Sequence, residues 1–435
     1  MTLRVARIGT MTQPVPATEY GGIQRSMAQM TAFQAAICAH DVWVYASADS
    51  AIVSFTKDIA DKLGLEAKTS EDGCAVTIKT AEGRVGRVIL RHMGVDSIGY
   101  ENPDEKNIQA DLFGLFLCDE KRAPFSVIHS HYAGITSNDL LPRGLGHKTL
   151  THQHTGTLPD SYPEKRFPLV CISDSQAALL QEKYNANVAA VIPHGLDSFT
   201  HDFSAQSAGY AAWIGRFLEN KGAHRAIEIA RKANMPLVMA GMVYDKKPKS
   251  ALYFQNDVAP HIDITDTTLL TRMAGMTPTE AAHEMARLVA QSGKPNPVIF
   301  VGAANDSQKQ ALYGNAAATL FPIAWPEPFG RVMIESMACG TPVIANRRVG
   351  TIDCGAVADV IDEGVTGTMI TAANYDDSIA QAVTALTGLR HFDRAEVRRV
   401  FDEKWTSERV ARQIAALYAS VPNAAPLHKP PVYAF

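Results

Sequence analysis

The sequence predicts an α/β protein made of two parallel-sheet halves. Three observations predict it. Short apolar runs alternate with longer helix-patterned segments, which is the signature of βαβ units. That alternation pauses once, in the polar stretch 195–210, and then resumes. The length of 435 residues suits two domains at about 100–200 residues each.

Each half can be followed along the chain. The first has strand-like runs VARIG (5–9), DVWVYAS (41–47), FSVIHSH (125–131), KTLTHQH (148–154), PLVCIS (168–173) and AAVIPHG (189–195). Helical patterns lie between them at 21–40 and 174–185, whereas 47–74 carries no readable signature. GLDSFTHDFSAQSAGY (195–210) has neither helical nor strand period and is the expected linker, giving domains at 1–200 and 201–406. The second half begins with YAAWIGR (210–216), a helix from Lys221 to Asn234, and PLVMAG (236–241). It continues with PVIFVG (297–302), AAATLFP (316–322) and TPVIA (341–345). Segment 263–296 fits this series poorly and reads as an insertion. Inside it, Thr277 or Thr279 is placed to cap a helix and Gly293 to close it. The Pro-rich end, 422–435, predicts no regular element. Two α/β halves joined by a linker form a cleft, and open α/β sheets bind ligands beyond the carboxyl ends of their strands.

Composition narrows the function. Hydrophobic residues make up 46% and charged residues 20%, as expected for a globular protein with a large core. The net charge is −4 with Lys and Arg spread along the chain, so no basic tail points to nucleic acid. No window approaches the ~18 continuous apolar residues of a membrane span, although peripheral membrane contact is compatible with this composition. MTLRVARIGTMT enters a strand-like segment directly, without the apolar run of a signal peptide. The six cysteines show no paired spacing and are expected to be reduced, mostly buried thiols of a cytoplasmic protein.

The most informative stretch is PIAWPEPFGRVMIESMACGTPVIA (322–345), with two acids, Glu327 and Glu335, in apolar surroundings. Pro326 and Pro328 bracket Glu327 and keep it out of a helix interior. FGRVMIESMAC then reads as a helix that Gly340 closes, with Glu335 inside it. The helix start at Gly330 to Val332 offers free backbone N–H groups and a positive dipole end, which suits a phosphate. An acid on a loop, an anion site and an acid on a helix are what a nucleoside-diphosphate sugar needs. Glu335 could accept from two ribose hydroxyls and Glu327 from sugar hydroxyls. The plain alternative is one capping and one exposed carboxylate.

PEPFGRVMIESMACGTPVIA resembles the E-x7-E motif of retaining glycosyltransferases with the GT-B fold, closest to family 4 (group 1). The resemblance runs through nearly the whole chain. It implies two Rossmann-like parallel-sheet domains facing each other across a cleft, with the nucleotide sugar between them. It also implies that the last helix, about 407–435, packs back on the first domain; SERVARQIAALYASV matches that helix. Phe329, Gly330, Arg331, Val332 and Glu335 would bind the donor. EYGGIQR (19–25) looks like the family's Gly-Gly loop, where Gly21 and Gly22 let the backbone approach the donor. WIGRFLENKG (213–222) is similar to its G-R-x(n)-K-G signature, so Arg216 and Lys221 would clamp the diphosphate and offset its growing charge. TLTHQHTG (149–156) matches its strand-end His motif, which places His154 against the reacting sugar.

His131, at the preceding strand end, is either cleft-lining or a packed core histidine. The two H-x-H pairs, His129/His131 and His152/His154, invite a metal reading. With no carboxylate cluster nearby, and with GT-B enzymes generally needing no metal, neither metal nor cofactor is expected. His194 replaces the family's common Asn and is read as structural. The implied activity moves a hexose from a nucleotide sugar, UDP- or GDP-linked, to a carbohydrate, lipid or small-molecule hydroxyl, with Glu327, His154, Arg216 and Lys221 as catalytic residues. A nucleotide-sugar epimerase, a glycoside phosphorylase or a non-catalytic binder on the same fold stays open.

Overall fold

The computed structural model describes residues 2–18, 21–99, 102–132, 143–158, 168–243 and 248–421. Glu19 and Tyr20 of the Gly-Gly loop and the Pro-rich end 422–435 lie outside the described residues. The backbone forms two compact units: Met1–Asp197 with Thr406–Phe435, and Ser198–Trp405.

The first unit carries a nine-stranded sheet. Its strands are β1 (Arg4–Ile8), β2 (Asp41–Tyr45), β3 (Glu66–Thr69), β4 (Ala75–Lys79), β5 (Val85–Arg91), β6 (Val127–Ser130), β7 (Thr149–His152), β8 (Leu169–Cys171) and β9 (Val188–Val191). They lie in the order β3-β4-β5-β2-β1-β6-β7-β8-β9. Central β1 is buried along its whole length, as a strand covered on both faces requires, although Arg4 and Arg7 stand among its apolar Val5, Ala6 and Ile8. Its neighbours are parallel: Val5 pairs with Val42 on one side and with Val127 on the other. The sheet is not parallel throughout, because β3–β4–β5 is an antiparallel meander. Helices α1 (Gly22–Cys38), α2 (Ile52–Lys62), α3 (Glu105–Arg122) and α4 (Asp174–Tyr184) cover it. One core layer joins Leu3, Val5, Val42 and Val88 to Met27, Met30 and Ala35 of α1. The opposite layer packs Ala6, Ile8 and Tyr45 on Phe113 and Phe116 of α3. Each Val, Leu, Ile, Phe or Met side chain among these contributes about 1.5–3 kcal/mol on full burial.

The second unit has its own sheet. The strands are β10 (Tyr210–Ile214), β11 (Leu237–Ala240), β12 (Ile264–Thr265), β13 (Val298–Phe300), β14 (Ala316–Phe321), β15 (Val343–Val349), β16 (Ile352–Asp353) and β17 (Gly367–Ala372). Their order is β12-β13-β11-β10-β14-β15-β16, with β17 also paired to β15. All pairs are parallel except β15 with β16. The helices are α5 (Ala223–Lys232), α6 (Pro248–Tyr253), α7 (Leu269–Met273), α8 (Pro278–Ser292), α9 (Asp306–Gly314), α10 (Arg331–Ala338), α11 (Val357–Val360), α12 (Tyr375–Thr387) and α13 (Arg394–Lys404).

Segment 263–296 is integral to this unit rather than an appendage. It supplies edge strand β12, and Ala281, Met285 and Leu288 of α8 fill the core beside Val238 and Ile299. Thr277 caps α8 in a reciprocal box with Glu280, and Gly293, in the left-handed region at φ 65°, ends it.

The last helix, α14 (Ser407–Ser420), belongs to the first unit and packs on α1. Its Tyr418 and the α1 residues Thr31 and Gln34 surround the fully buried guanidinium of Arg7, which donates to all three. A buried cation therefore ties β1, α1 and α14 together through hydrogen bonds rather than an ion pair. Among the described residues no helix is long and apolar enough to cross a membrane. All six cysteines are free thiols. Only Cys171, Cys339 and Cys354 are buried, while Cys118 is exposed, so the expectation of mostly buried thiols holds for half of them.

Candidate functional site

In the second unit, two loops at the carboxyl ends of neighbouring strands β10 and β14 meet. The first runs from Gly215 through Arg216 and Lys221 to Gly222, where α5 begins. Gly222 sits at φ 73°, and a Cβ there would lie 2.2 Å from the Pro322 carbonyl oxygen, so only glycine fits the turn. The Ala324 N–H donates to the Asn220 carbonyl at 2.9 Å and joins the two loops.

This junction brings Lys221 to Glu327. The Lys221 ammonium donates to Glu327 Oε2 at 2.5 Å, with the side chains only 14% and 12% exposed. The Glu327 backbone is fixed independently: its N–H donates to the Cys354 carbonyl at 3.4 Å, and its carbonyl accepts from Ala356 at 2.9 Å. The half-buried ring of Trp325 lies against the same ammonium, its centroid 4.4 Å from Nζ. Arg216 occupies the same loop as Lys221 and is half-buried.

Helix α10 starts directly after this loop. Phe329 is buried beside its start, Gly330 takes the N-cap position at φ 80°, and neither a capping side chain nor an acidic residue occupies the first turn. The first N–H groups and the dipole therefore present a positive end, which begins at Arg331 and Val332. One turn further, Glu335 is 4% exposed. Its Oε2 accepts from Tyr313 at 3.2 Å, and its Oε1 lies 3.3 Å from Lys309 Nζ and 3.6 Å from Arg331 Nε. Burial alone would raise this carboxyl; Lys309 and Arg331 outweigh it and hold it below its ordinary value. Burial and the Glu335 charge push the Tyr313 hydroxyl well up. Glu335 is thus a fixed, triply engaged carboxylate, unlike Glu327 with its single lysine.

Histidines dominate the corresponding part of the first unit. His129 lies in β6 and His131 just after it, His152 ends β7 and His154 follows it, and their rings lie nearly parallel. Hydrogen bonds pair them diagonally: His152 Nδ1 with His129 Nε2 at 3.2 Å, and His131 Nδ1 with His154 Nε2 at 2.9 Å. His129 Nδ1 also meets the Tyr418 hydroxyl at 2.6 Å, and His194 Nδ1 meets Ser26 Oγ at 2.6 Å. His131 is 3% exposed and packs inside this array. Burial, reinforced by neighbouring imidazoles and Arg7, drives His129, His131 and His152 well below the ordinary histidine value, so these rings are neutral.

Among the described residues, His129, His131 and His152 are the group whose ligand nitrogens come together, within 4.8 Å of one another. Three neutral imidazoles suit a zinc- or copper-like cation. Their planes, 8–26° apart, run alongside one another instead of converging on one point, so ligation would require the rings to turn.

Gly21 and Gly22 open α1. A Cβ on Gly21 would lie 2.2 Å from Gln13 Oε1 and 2.3 Å from Ala17 Cβ, so this turn is closed to any side chain. The site also has members that the sequence did not single out. Trp325 stands two residues before Glu327, and an aromatic there has no periodicity to mark it. Lys309 and Tyr313 face Glu335 from α9; their i, i+4 spacing is the only local signal, and it needs the fold to acquire a target.

Residues 204–403 match the family described as Glycosyl transferases group 1. An uncharacterized glycosyltransferase of Methanocaldococcus jannaschii is 29% identical over 134 residues, 30% of this chain and 32% of that protein. The chain thus spans about a third of that curated relative's length. The sucrose-phosphate synthase structure from Thermosynechococcus elongatus superimposes with a TM-score of 0.62 at 17% identity, covering 97% of this chain and 100% of that one. An Anabaena protein in complex with UDP does so with a TM-score of 0.56 at 15% identity, covering 97% and 100%. The fold, two parallel-sheet α/β units, is GT-B, as the resemblance implied. Family match and fold together support a glycosyltransferase.

Proposed function

We propose that this chain is a retaining glycosyltransferase of family 4 type that moves a hexose from a UDP- or GDP-linked donor to a hydroxyl acceptor. The observation that carries the reading is the largely buried Lys221–Glu327 pair, 2.5 Å apart, which joins the loop before α5 to the loop leading into the uncapped start of α10. A diphosphate at that helix start meets backbone N–H groups, the helix dipole and Lys221, with Arg216 from the same loop. Those cations offset the charge that grows on the diphosphate as the sugar bond loosens into an oxocarbenium-like centre. Glu327, released from Lys221, accepts from sugar hydroxyls and steadies the developing positive charge. Glu335 orients the ribose, His154 bonds a sugar hydroxyl, and Gly21 and Gly22 let the backbone approach the donor. The leaving phosphate oxygen takes the acceptor's proton on the same face, so no protein base is called on. The donor is a substrate, and the chemistry uses no cofactor.

Incubation with UDP- and GDP-hexoses and a panel of hydroxyl acceptors tests this, read by nucleoside-diphosphate release and by the anomeric configuration of the product in NMR. Retained configuration is expected, with transfer abolished in Glu327→Ala and strongly lowered in Arg216→Ala. A new sugar isomer without nucleotide release would make the chain an epimerase. Wild-type rates in both variants would sink the assignment of the site.

A further inference from the structure

Lys221 has two anions to serve on the proposed reading, Glu327 in the free protein and the diphosphate in the complex. A lysine on a flexible four-carbon stem loses its place when its only anchor turns elsewhere, and ordering that stem again costs affinity. The structure supplies a second anchor. The Trp325 ring lies 4.4 Å from the Lys221 ammonium, within the range of a cation–π contact. That contact uses the face of the ring and takes up at most one of the three N–H donors. One N–H can therefore serve Glu327 or a phosphate oxygen while the ammonium stays where it is.

Trp325 is itself held from three sides. Pro326 restricts its backbone. The Ala324 N–H donates to Asn220, one residue before Lys221, at 2.9 Å. The Ile323 carbonyl accepts from Asn346 Nδ2 at 3.1 Å. Among the described residues the buried indole N–H has no hydrogen-bond partner, so its fixed orientation comes from packing and from the cation.

We propose that Trp325 is a positioning residue for Lys221: its ring face keeps the ammonium at the donor diphosphate while Glu327 passes from the lysine to the sugar. This rests on the donor reading given above and goes beyond it by naming what holds the lysine through the exchange.

Binding of UDP and of GDP to the full chain, measured by isothermal titration, tests the proposal in Trp325→Leu, Trp325→Phe, Lys221→Ala and the Trp325→Leu/Lys221→Ala double variant. Removing a cation–π contact predicts about 2- to 30-fold weaker binding in Trp325→Leu. Trp325→Phe keeps an aromatic face, drops the N–H, and recovers most of that loss. In the Lys221→Ala background Trp325→Leu has no further effect, because the residue acts through the lysine. Melting temperatures are recorded alongside, so that a variant that fails to fold is not scored as one that fails to bind. The proposal is overturned if Trp325→Leu binds as the wild type does, if Phe and Leu lose equally, or if the Leu loss persists undiminished without Lys221. Failure of the wild type to bind either nucleotide, with Lys221→Ala indistinguishable from it, would instead overturn the donor reading.

Discussion

Acidification should unfold the first unit far earlier than its carboxylates alone would dictate, because several of its histidines are buried in the neutral form. His40 gives the magnitude. It is 3% exposed, stacks on Tyr418, and has a value lowered to about 3 by burial, with Arg7 adding to the shift. In the unfolded chain the same group titrates near 6.5. Above that pH both states are neutral and the contribution to stability is fully present. As the pH falls below about 6.5 the unfolded state gains a proton that the folded state refuses, so stability is lost until the folded value near 3 is reached. Between pH 7 and pH 5 this amounts to about 2 kcal/mol for His40 alone. His129, His131 and His152 shift in the same direction for the same reason, so the loss is a multiple of that figure. Against a total of about 5–15 kcal/mol, it is decisive. The assay is urea unfolding followed by circular dichroism at pH 7, 6 and 5 at constant ionic strength, repeated with His40→Phe, which should flatten the slope. Stability that stays level down to pH 5 and falls only near pH 4, where carboxylates protonate, would refute the reasoning.

Two further outcomes follow from the second unit. Lys221→Met strands the Glu327 carboxylate without its partner and should cost about 3–5 kcal/mol. At about 2–4 °C per kcal/mol for a unit of this size, scanning calorimetry should show a fall of about 6–20 °C, largely restored by adding Glu327→Gln; an unchanged melting temperature in the single variant would mean the pair is effectively solvated. Gly222→Ala drives a Cβ to 2.2 Å from the Pro322 carbonyl at φ 73° and should cost more than about 2 kcal/mol, with loss of the Lys221–Glu327 contact. A variant that melts within a degree of wild type would show that the turn tolerates a side chain.

The strands beside each site were legible because buried parallel strands carry mostly apolar runs; β10 and β14 read that way, and β1 and β6 do so despite Arg4, Arg7 and His129. The β3–β4–β5 meander is harder to see in the sequence. Its signal was present: Val76 and Ile78, then Gly86, Val88 and Leu90, alternate buried positions with more exposed ones. A half-exposed antiparallel ribbon breaks the apolar-run rule that serves the rest of the sheet. Segment 263–296 is hard to place from sequence for a different reason. β12 has two residues, too few to show any period, so the chain around it resembles an inserted loop. At the site, the sequence marked Glu327 by its Pro-bracketed place before a helix start, but Lys221, 106 positions away, only through a family resemblance. No local pattern says that two loops on adjacent strand ends will touch. The backbone bond from Ala324 to Asn220 follows from strand order alone. The histidine array lies between these cases. The two H-x-H pairs put each pair on one face of a strand, but their diagonal hydrogen bonds depend on the β6–β7 register, in which His129 stands opposite Leu150.

The eight-residue spacing of Glu327 and Glu335 now separates into two unlike electrostatic problems. Glu335 lies inside the unit with Lys309, Arg331 and Tyr313 around it, and removing any ligand from its surroundings leaves those bonds in place. Glu327 is different. Its main chain is clipped to residues 354–356, so the carboxylate can swing without moving the loop, and its one ammonium partner has an aromatic face to rest on. A carboxylate that must exchange partners during a reaction needs a rigid backbone and a single, replaceable counter-ion. A carboxylate that must only define a shape needs several partners and no freedom. Glu327 has the first set of properties and Glu335 the second. The pair therefore cannot be treated as interchangeable acids: Glu327→Gln should change turnover more than affinity for a bare nucleotide, and Glu335→Gln should do the reverse. Steady-state kinetics alongside UDP and GDP binding would separate them, and equal effects of both substitutions on both quantities would refute the division.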